Sequence, residues 1–290
     1  MHDAVKTMLN AYDCRTRDDY ENAMREIIQE VALLGLWRSK FFEHAAFYGG
    51  TALRVLYGLD RYSEDLDFSM LAPSPDFRLG TYGDSLQREI RSFGFHVSFE
   101  QPTRPPERQT AIESAFLKTN TLRELMVIEA DPGILKGLHP DKQLKVKIEI
   151  DTDPPPGFQT ENQYLLQPIP FSVRVFALPD LFAGKLHAVL CRRWKTRVKG
   201  RDWYDLAWYV GRRTPLHLSH LEARMRQSGD YSDPSPLSRQ ALVDRLRDAA
   251  DELDVPQART EVERFLRDRR AVEVWSNDFF RHIADRIEVV

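Results

Sequence analysis

The chain has 290 residues, 42% hydrophobic and 29% charged, with a formal net charge of −3. These proportions fit a soluble globular protein of one large or two moderate domains, and the near-neutral balance confines any nucleic-acid binding to a local patch. Two cysteines, Cys14 and Cys191, do not make a disulfide scaffold, no run approaches 18 apolar residues, and the first residues lack a basic segment followed by an apolar core. No membrane partner and a reducing cytoplasm are therefore expected.

From Asp18 to Leu36, Ala23, Ile27, Ile28, Val31 and Leu34 recur at spacings of three and four, which predicts a helix. Phe47 and Tyr48 close a short strand. Gly49 and Gly50 follow, two residues without a Cβ that let the backbone approach a ligand closely. Thr51 and the apolar run from Ala52 to Tyr57 read as a helix packed on a core. A Gly-Gly turn entering a helix offers free N–H groups and a positive dipole end, a seat for phosphate, although such a turn also occurs for purely structural reasons.

The next segment is Arg61-Tyr62-Ser63-Glu64-Asp65-Leu66-Asp67-Phe68. In extended backbone, residues two apart share a face. Asp65 and Asp67 therefore sit side by side with Ser63, while Leu66 and Phe68 point into the core. Adjacent carboxylates repel unless a cation lies between them. Magnesium, which takes oxygen ligands and binds through one or two carboxylates plus substrate phosphates, is the cation this pattern suits. The alternative is a pair of solvated acids on a strand edge. Arg54 and Arg61 flank the segment and could also reach phosphates.

Residues 71–75 form a loop, Ser85 to Phe93 a helix, and Phe95 to Phe99 a strand; Gln101 to Gln109, with three prolines, reads as an exposed loop. Leu144 to Asp151 is the clearest strand. Val146, Ile148 and Ile150 take one face, and Lys145, Lys147, Glu149 and Asp151 the other. Thr152-Asp153-Pro154-Pro155-Pro156-Gly157 ends it. Glu149 and Asp151 are further candidate acids, with cross-strand charge pairing as the alternative. Phe171 to Phe176 is another strand. From Leu178 the pattern is helical, broken near Pro215 and across Ser228 to Pro236. Domains are expected at 1–178 and 179–290, the first α/β with an N-terminal helix, the second helical.

In the second half, Lys185 lies beside the apolar stripe of Leu181, Phe182, Leu186, Val189 and Leu190. Asp202 and Asp205 are three apart on the more polar side of a helix whose buried face is Trp203, Leu206, Ala207 and Val210. Arg192, Arg193, Lys195, Arg197 and Lys199, with Trp194 and Trp203 interleaved, form a basic run. It suits phosphates and stacked bases, or simply a solvated helix end. The histidines show no paired metal spacing, so zinc is not expected.

Gly49-Gly50-Thr51-Ala52-Leu53, a helix, and then Arg61 to Phe68 resemble the first motif of the AbiEii/AbiGii toxin nucleotidyltransferases, a family of the DNA polymerase β-like superfamily that includes MenT-like toxins. Lys147-Ile148-Glu149-Ile150, Ala183-Gly184-Lys185-Leu186 and Arg201-Asp202-Trp203-Tyr204-Asp205-Leu206 resemble its later motifs, so the likeness spans most of residues 40 to 210. The resemblance implies an α+β fold, a polymerase β-like nucleotidyltransferase domain with a mixed sheet plus a helical C-terminal domain. It implies that Asp65, Asp67 and Glu149 hold Mg²⁺ (or Mn²⁺), with Glu149 a metal ligand or base. Gly49, Gly50 and Thr51 would cradle a nucleoside triphosphate; Ser63, on the aspartates' face, would contact a phosphate or hydrogen-bond the turn. Lys185 would contact its phosphates, Asp202 would orient Lys185 or the nucleotide, and Asp205 would lie at the nucleotide. The implied role is the toxin of a bacterial toxin–antitoxin or phage-defence pair, with a separately encoded antitoxin and the 3′ end of tRNA as acceptor. A small-molecule nucleotidyltransferase and a non-catalytic nucleotide-binding regulator are the alternatives.

Overall fold

The computed structural model describes residues 2–100, 121–130, 144–192 and 198–290. Two compact units are present: one comprises residues 1–58, 62–154 and 161–175, the other 59–61, 155–160 and 176–290.

The first unit is built on a seven-stranded sheet: β1 (Ala45–Tyr48), β2 (Leu66–Met70), β3 (Phe95–Glu100), β4 (Thr121–Ala130), β5 (Leu144–Asp151), β6 (Thr160–Leu165) and β7 (Phe171–Phe176). Their order is β3-β4-β5-β2-β1-β7-β6. The sheet is mixed. β2 runs antiparallel to β1 and parallel to β5, while β4 is antiparallel to both β3 and β5. β5 alternates as its sequence demands, with Leu144, Val146, Ile148 and Ile150 buried and the residues between them more exposed.

Helices α1 (Asp3–Leu9), α2 (Arg17–Arg38), α3 (Gly49–Tyr57) and α4 (Gly80–Ser92) belong to this unit. A capping box starts α2: the Thr16 hydroxyl accepts from the Asp19 N–H, and the Asp19 carboxylate accepts from the Thr16 N–H. The α2 stripe of Ala23, Ile27, Ile28, Val31 and Leu34 is fully buried. α2 packs against α4 and α3 against β2.

The second unit carries α5 (Leu178–Cys191), α6 (Gly200–Gly211), α7 (Leu218–Ser228), α8 (Arg239–Asp251), α9 (Val255–Glu263) and α10 (Asn277–Asp285). Pro179 sits in the first turn of α5, where a missing N–H costs nothing. α6 meets α9 at Gly200, where a Cβ would lie 1.9 Å from the Ala258 carbonyl oxygen. Only a residue without a Cβ permits that approach.

Sequence patterning anticipates α2, α4, β3, β5, β7 and the turn into α3, but not α1, β4 or β6. The β6 segment Thr160–Leu165 is largely polar and exposed, being an edge strand, so it carries no apolar alternation. The expected loop at Gln101–Gln109 lies outside the described residues.

Candidate nucleotide and metal site

Asp67 stands in the middle of the sheet, where the register gives it two neighbours, Tyr48 on antiparallel β1 and Glu149 on parallel β5. Residues directly paired on adjacent strands project to the same face, and neighbouring strands lie about 4.8 Å apart. Asp67 and Glu149 are thus side by side although 82 residues separate them in sequence, from position 67 to 149. Asp65, one residue before β2, shares the Asp67 face by the two-residue period. Leu66 and Phe68, on the opposite face, are fully buried and anchor the strand.

Gly49 opens α3 directly beside this face. Its φ is +83°, a left-handed value, and a Cβ there would lie 2.2 Å from Asp67 Oδ2 and 2.9 Å from Asp67 Cγ. Glycine at 49 is therefore required twice, by backbone conformation and by the room Asp67 occupies. Gly50 is buried. Thr51 is fully buried, and its hydroxyl donates to the Asp65 carbonyl oxygen. Its side chain thus ties the α3 helix to the start of the acidic segment. Ser63 lies in the lead-in to β2, where its carbonyl accepts from Gln29 Nε2 at 3.3 Å.

Lys147 is the member of this group that sequence reading assigns no role. It lies two residues before Glu149 on β5, hence on the same face. Its ammonium is 2.8 Å from Glu149 Oε1 and 3.7 Å from Asp65 Oδ2. Burial pulls the Lys147 pKa down, but Asp65, Glu149 and Asp67 outweigh it and hold the group above the ordinary lysine value. Asp151, opposite Ser69, turns its Oδ1 to the Asp153 N–H at 3.1 Å and so caps the strand's exit.

The arginines flanking the segment differ from expectation. Neither is left to meet a phosphate. Arg54 donates to Glu26 through Nε at 2.7 Å and lies over the Tyr62 ring at 4.9 Å. Arg61 is 1% exposed and belongs to the second unit, where it forks onto Asp205 with contacts of 2.7 and 2.6 Å.

Within that second unit a charged cluster gathers on α5 and α6. Asp205 is fully buried and accepts from Arg61 and, at 2.8 Å, from Lys185. Burial would raise its pKa, but Arg61 and Lys185 prevail and hold it below the usual carboxylate range. Asp202 is 6% exposed; its Oδ1 is 3.8 Å from Lys185, and its Oδ2 is buried with no hydrogen-bond donor among the described residues. Both acids were expected on the polar side of α6, so their burial is a correction: partners from outside the helix compensate the charge, which periodicity cannot show. Ala207 and Val210, expected on the buried face, are only half-buried, while Tyr209 is fully buried, stacked on Phe182 at 4.3 Å. Both Asp205 oxygens are engaged by cationic side chains, whereas Asp202 has only the longer ion pairs to Lys185 and Arg192 among the described residues.

Of the basic run, Arg193, Lys195 and Arg197 lie outside the described residues, as does Trp194. Arg192 reaches Asp202 at 3.9 Å. Lys199 is pushed below the ordinary lysine value by burial and then by Arg201. Arg201 itself pairs with Glu261 and lies over the Phe265 ring.

Neither the histidines nor the cysteines stand out by metal-type spacing in the sequence, yet His187 and Cys191 are four apart. One turn of α5 brings these two together with Asp230. The Ser228 hydroxyl is 3.0 Å from His187 Nε2 and donates to Asp230 at 2.6 Å.

Carboxylates on two neighbouring sheet strands, beside a glycine-opened helix start, make up the candidate site. The sequence agrees: the chain belongs to the AbiEii nucleotidyl transferase toxin family of type IV toxin–antitoxin systems, whose family model matches residues 31–282. It is a nucleotidyltransferase, and membership implies a nucleotide substrate and a cognate antitoxin. Among solved structures, JHP933 from Helicobacter pylori is similar with a TM-score of 0.51 and 16% identity, covering 91% of this chain and 90% of that one. A further H. pylori structure, assigned as a nucleotidyltransferase, has a TM-score of 0.49 at 16% identity, over 90% of this chain and 92% of that one. The first likeness extends to the fold. No curated protein sequence matches the chain significantly. Among the described residues, no helix is long and apolar enough to cross a membrane.

Proposed function

We propose that this protein is a polymerase β-like, magnesium-dependent nucleotidyltransferase that moves a nucleoside monophosphate from a triphosphate to the 3′ end of tRNA, silencing translation until its antitoxin acts. The observation that carries the metal reading is the pairing of Asp67 with Glu149, with Asp65 on the same face. The donor set fits a divalent ion: all three groups offer hard oxygens, and an ammonium already stands between two of them. Asp65, Asp67 and Glu149 would hold the metal, Mg²⁺ or Mn²⁺. When bound, it supplies neutralisation of the triphosphate charge and polarisation of the phosphoryl group.

The chain's own residues then have separable tasks. Gly49 and Gly50 leave the α3 N-terminus open to close approach by phosphate oxygens. Thr51, through the Asp65 carbonyl, fixes the acids relative to that helix. Glu149, a metal ligand, would alternatively serve as the base that accepts the proton of the attacking hydroxyl, whose oxygen attacks the α-phosphorus as pyrophosphate leaves. Lys185 is the proposed phosphate contact and Asp202 its orienting partner; Asp205 holds the Lys185 ammonium in place. Cationic contacts to both Asp205 oxygens favour this positioning role over direct nucleotide contact. Arg192 and Lys199 are the described members of the basic run proposed for RNA.

The test is transfer of labelled nucleotides to total RNA with Mg²⁺, comparing the native chain with Asp67→Ala. Label in the tRNA band that vanishes in the variant is the expected result. Label moving to a small molecule, or undiminished transfer by the variant, would overturn the assignment of acceptor or of site.

A further inference from the structure

The acidic face carries its own cation. Asp65, Asp67 and Glu149 would repel one another if nothing stood among them. The Lys147 ammonium occupies that position, 2.8 Å from Glu149 Oε1 and 3.7 Å from Asp65 Oδ2. The placement is built into the strand. Lys147 and Glu149 are two apart on β5 and so project together, and β5 lies directly beside β2. About a third of the lysine side chain remains exposed, so its head has a path to solvent if displaced.

We propose that Lys147 is the resident counter-ion of the metal site: it holds the three carboxylates together in the metal-free protein, and a divalent ion enters by displacing it. This rests on the reading of the acidic face as the metal site. The physical basis is exclusion. An ion shared by Asp65 and Glu149 needs the oxygens that the ammonium now holds, and two cations within a few ångströms repel. Lys147 therefore stabilises the empty site and competes with the metal. Its removal should destabilise the metal-free protein and tighten metal binding together, whereas loss of a merely structural lysine would weaken both.

The experiment titrates the full-length protein with Mn²⁺, reading free Mn²⁺ by electron paramagnetic resonance, and records melting with EDTA or saturating Mn²⁺. Lys147→Met should bind Mn²⁺ at least tenfold more tightly than the native chain. It should melt lower than the native chain in EDTA and recover with Mn²⁺. Lys147→Arg, which keeps the charge, should stay near the native affinity. If the native chain binds no Mn²⁺, the metal reading fails and this inference with it. If it binds Mn²⁺ but Lys147→Met binds equally or more weakly, the role of Lys147 alone is overturned. Tightening by Lys147→Arg to the Met level would overturn it too. Should Lys147→Met not fold in EDTA, folding on addition of Mn²⁺ supports the proposal, and a chain that stays unfolded at saturating Mn²⁺ refutes it.

Discussion

Removing the Asp205 carboxylate should be among the most damaging single changes in the second unit. Asp205 is fully buried, and Arg61, at 1% exposure, points both Nε and Nη2 at it at 2.7 and 2.6 Å. A guanidinium cannot shed its proton to escape a dry site. Asp205→Ala would leave that charge, and the Lys185 ammonium 2.8 Å from the lost oxygen, without their acceptor. Breaking a buried pair in this way costs about 3–5 kcal/mol, whereas replacing both partners by apolar side chains of similar volume is often neutral. Arg61→Met should likewise cost about 3 kcal/mol, because among the described residues Asp205 then keeps Lys185 as its cationic partner. The double variant Arg61→Met/Asp205→Leu, which still strands the Lys185 ammonium, should lose less than the two single losses summed, a coupling energy of about 1 kcal/mol or more. Urea unfolding followed by circular dichroism measures all four proteins. A loss below about 1 kcal/mol for Asp205→Ala, or simple additivity in the double variant, would refute the reasoning. Transfer activity of the double variant, if stable, then reports what Asp205 does for Lys185 beyond stability.

Gly49→Ala should abolish nucleotide transfer, since its Cβ would fall on the Asp67 carboxylate; a variant transferring at the native rate would exclude the close approach. Thr51→Val, which keeps the shape but not the hydroxyl donated to the Asp65 carbonyl, should cost about 0.5–1.5 kcal/mol in thermal or urea unfolding, the net worth of that hydrogen bond. Glu30 provides a pH test. Burial, with the neighbouring Glu26 charge adding to it and Arg54 opposing, raises its pKa to about 8. The folded protein then binds a proton that the unfolded chain releases near pH 4.3. The Glu30 contribution is full below that pH and is lost as pH rises toward 8. Glu30→Gln should match the native chain near pH 4 and become progressively more stable relative to it up to about pH 8 in melting scans; a constant offset across that range would exclude the raised pKa.

Local pattern determined much of the first unit. The two-residue period put Asp65 and Asp67 on one face and Glu149 on the polar face of its strand. The paired glycines marked the turn into α3, and the three-four spacing marked α2. Each of these is a property of a few consecutive residues, so the sequence contains it directly. Tertiary structure alone decided which strands lie together. Making β5 the parallel neighbour of β2 placed Glu149 beside Asp67 and brought Lys147 among the acids. It also joined Arg61 to Asp205 across 144 positions, turning an arginine expected to reach phosphate into the buried partner of an aspartate expected on the polar side of its helix. The physical reason is the same in both cases. Face and periodicity are set by backbone geometry, whereas the partner of a charge is set by which distant segment folds against it.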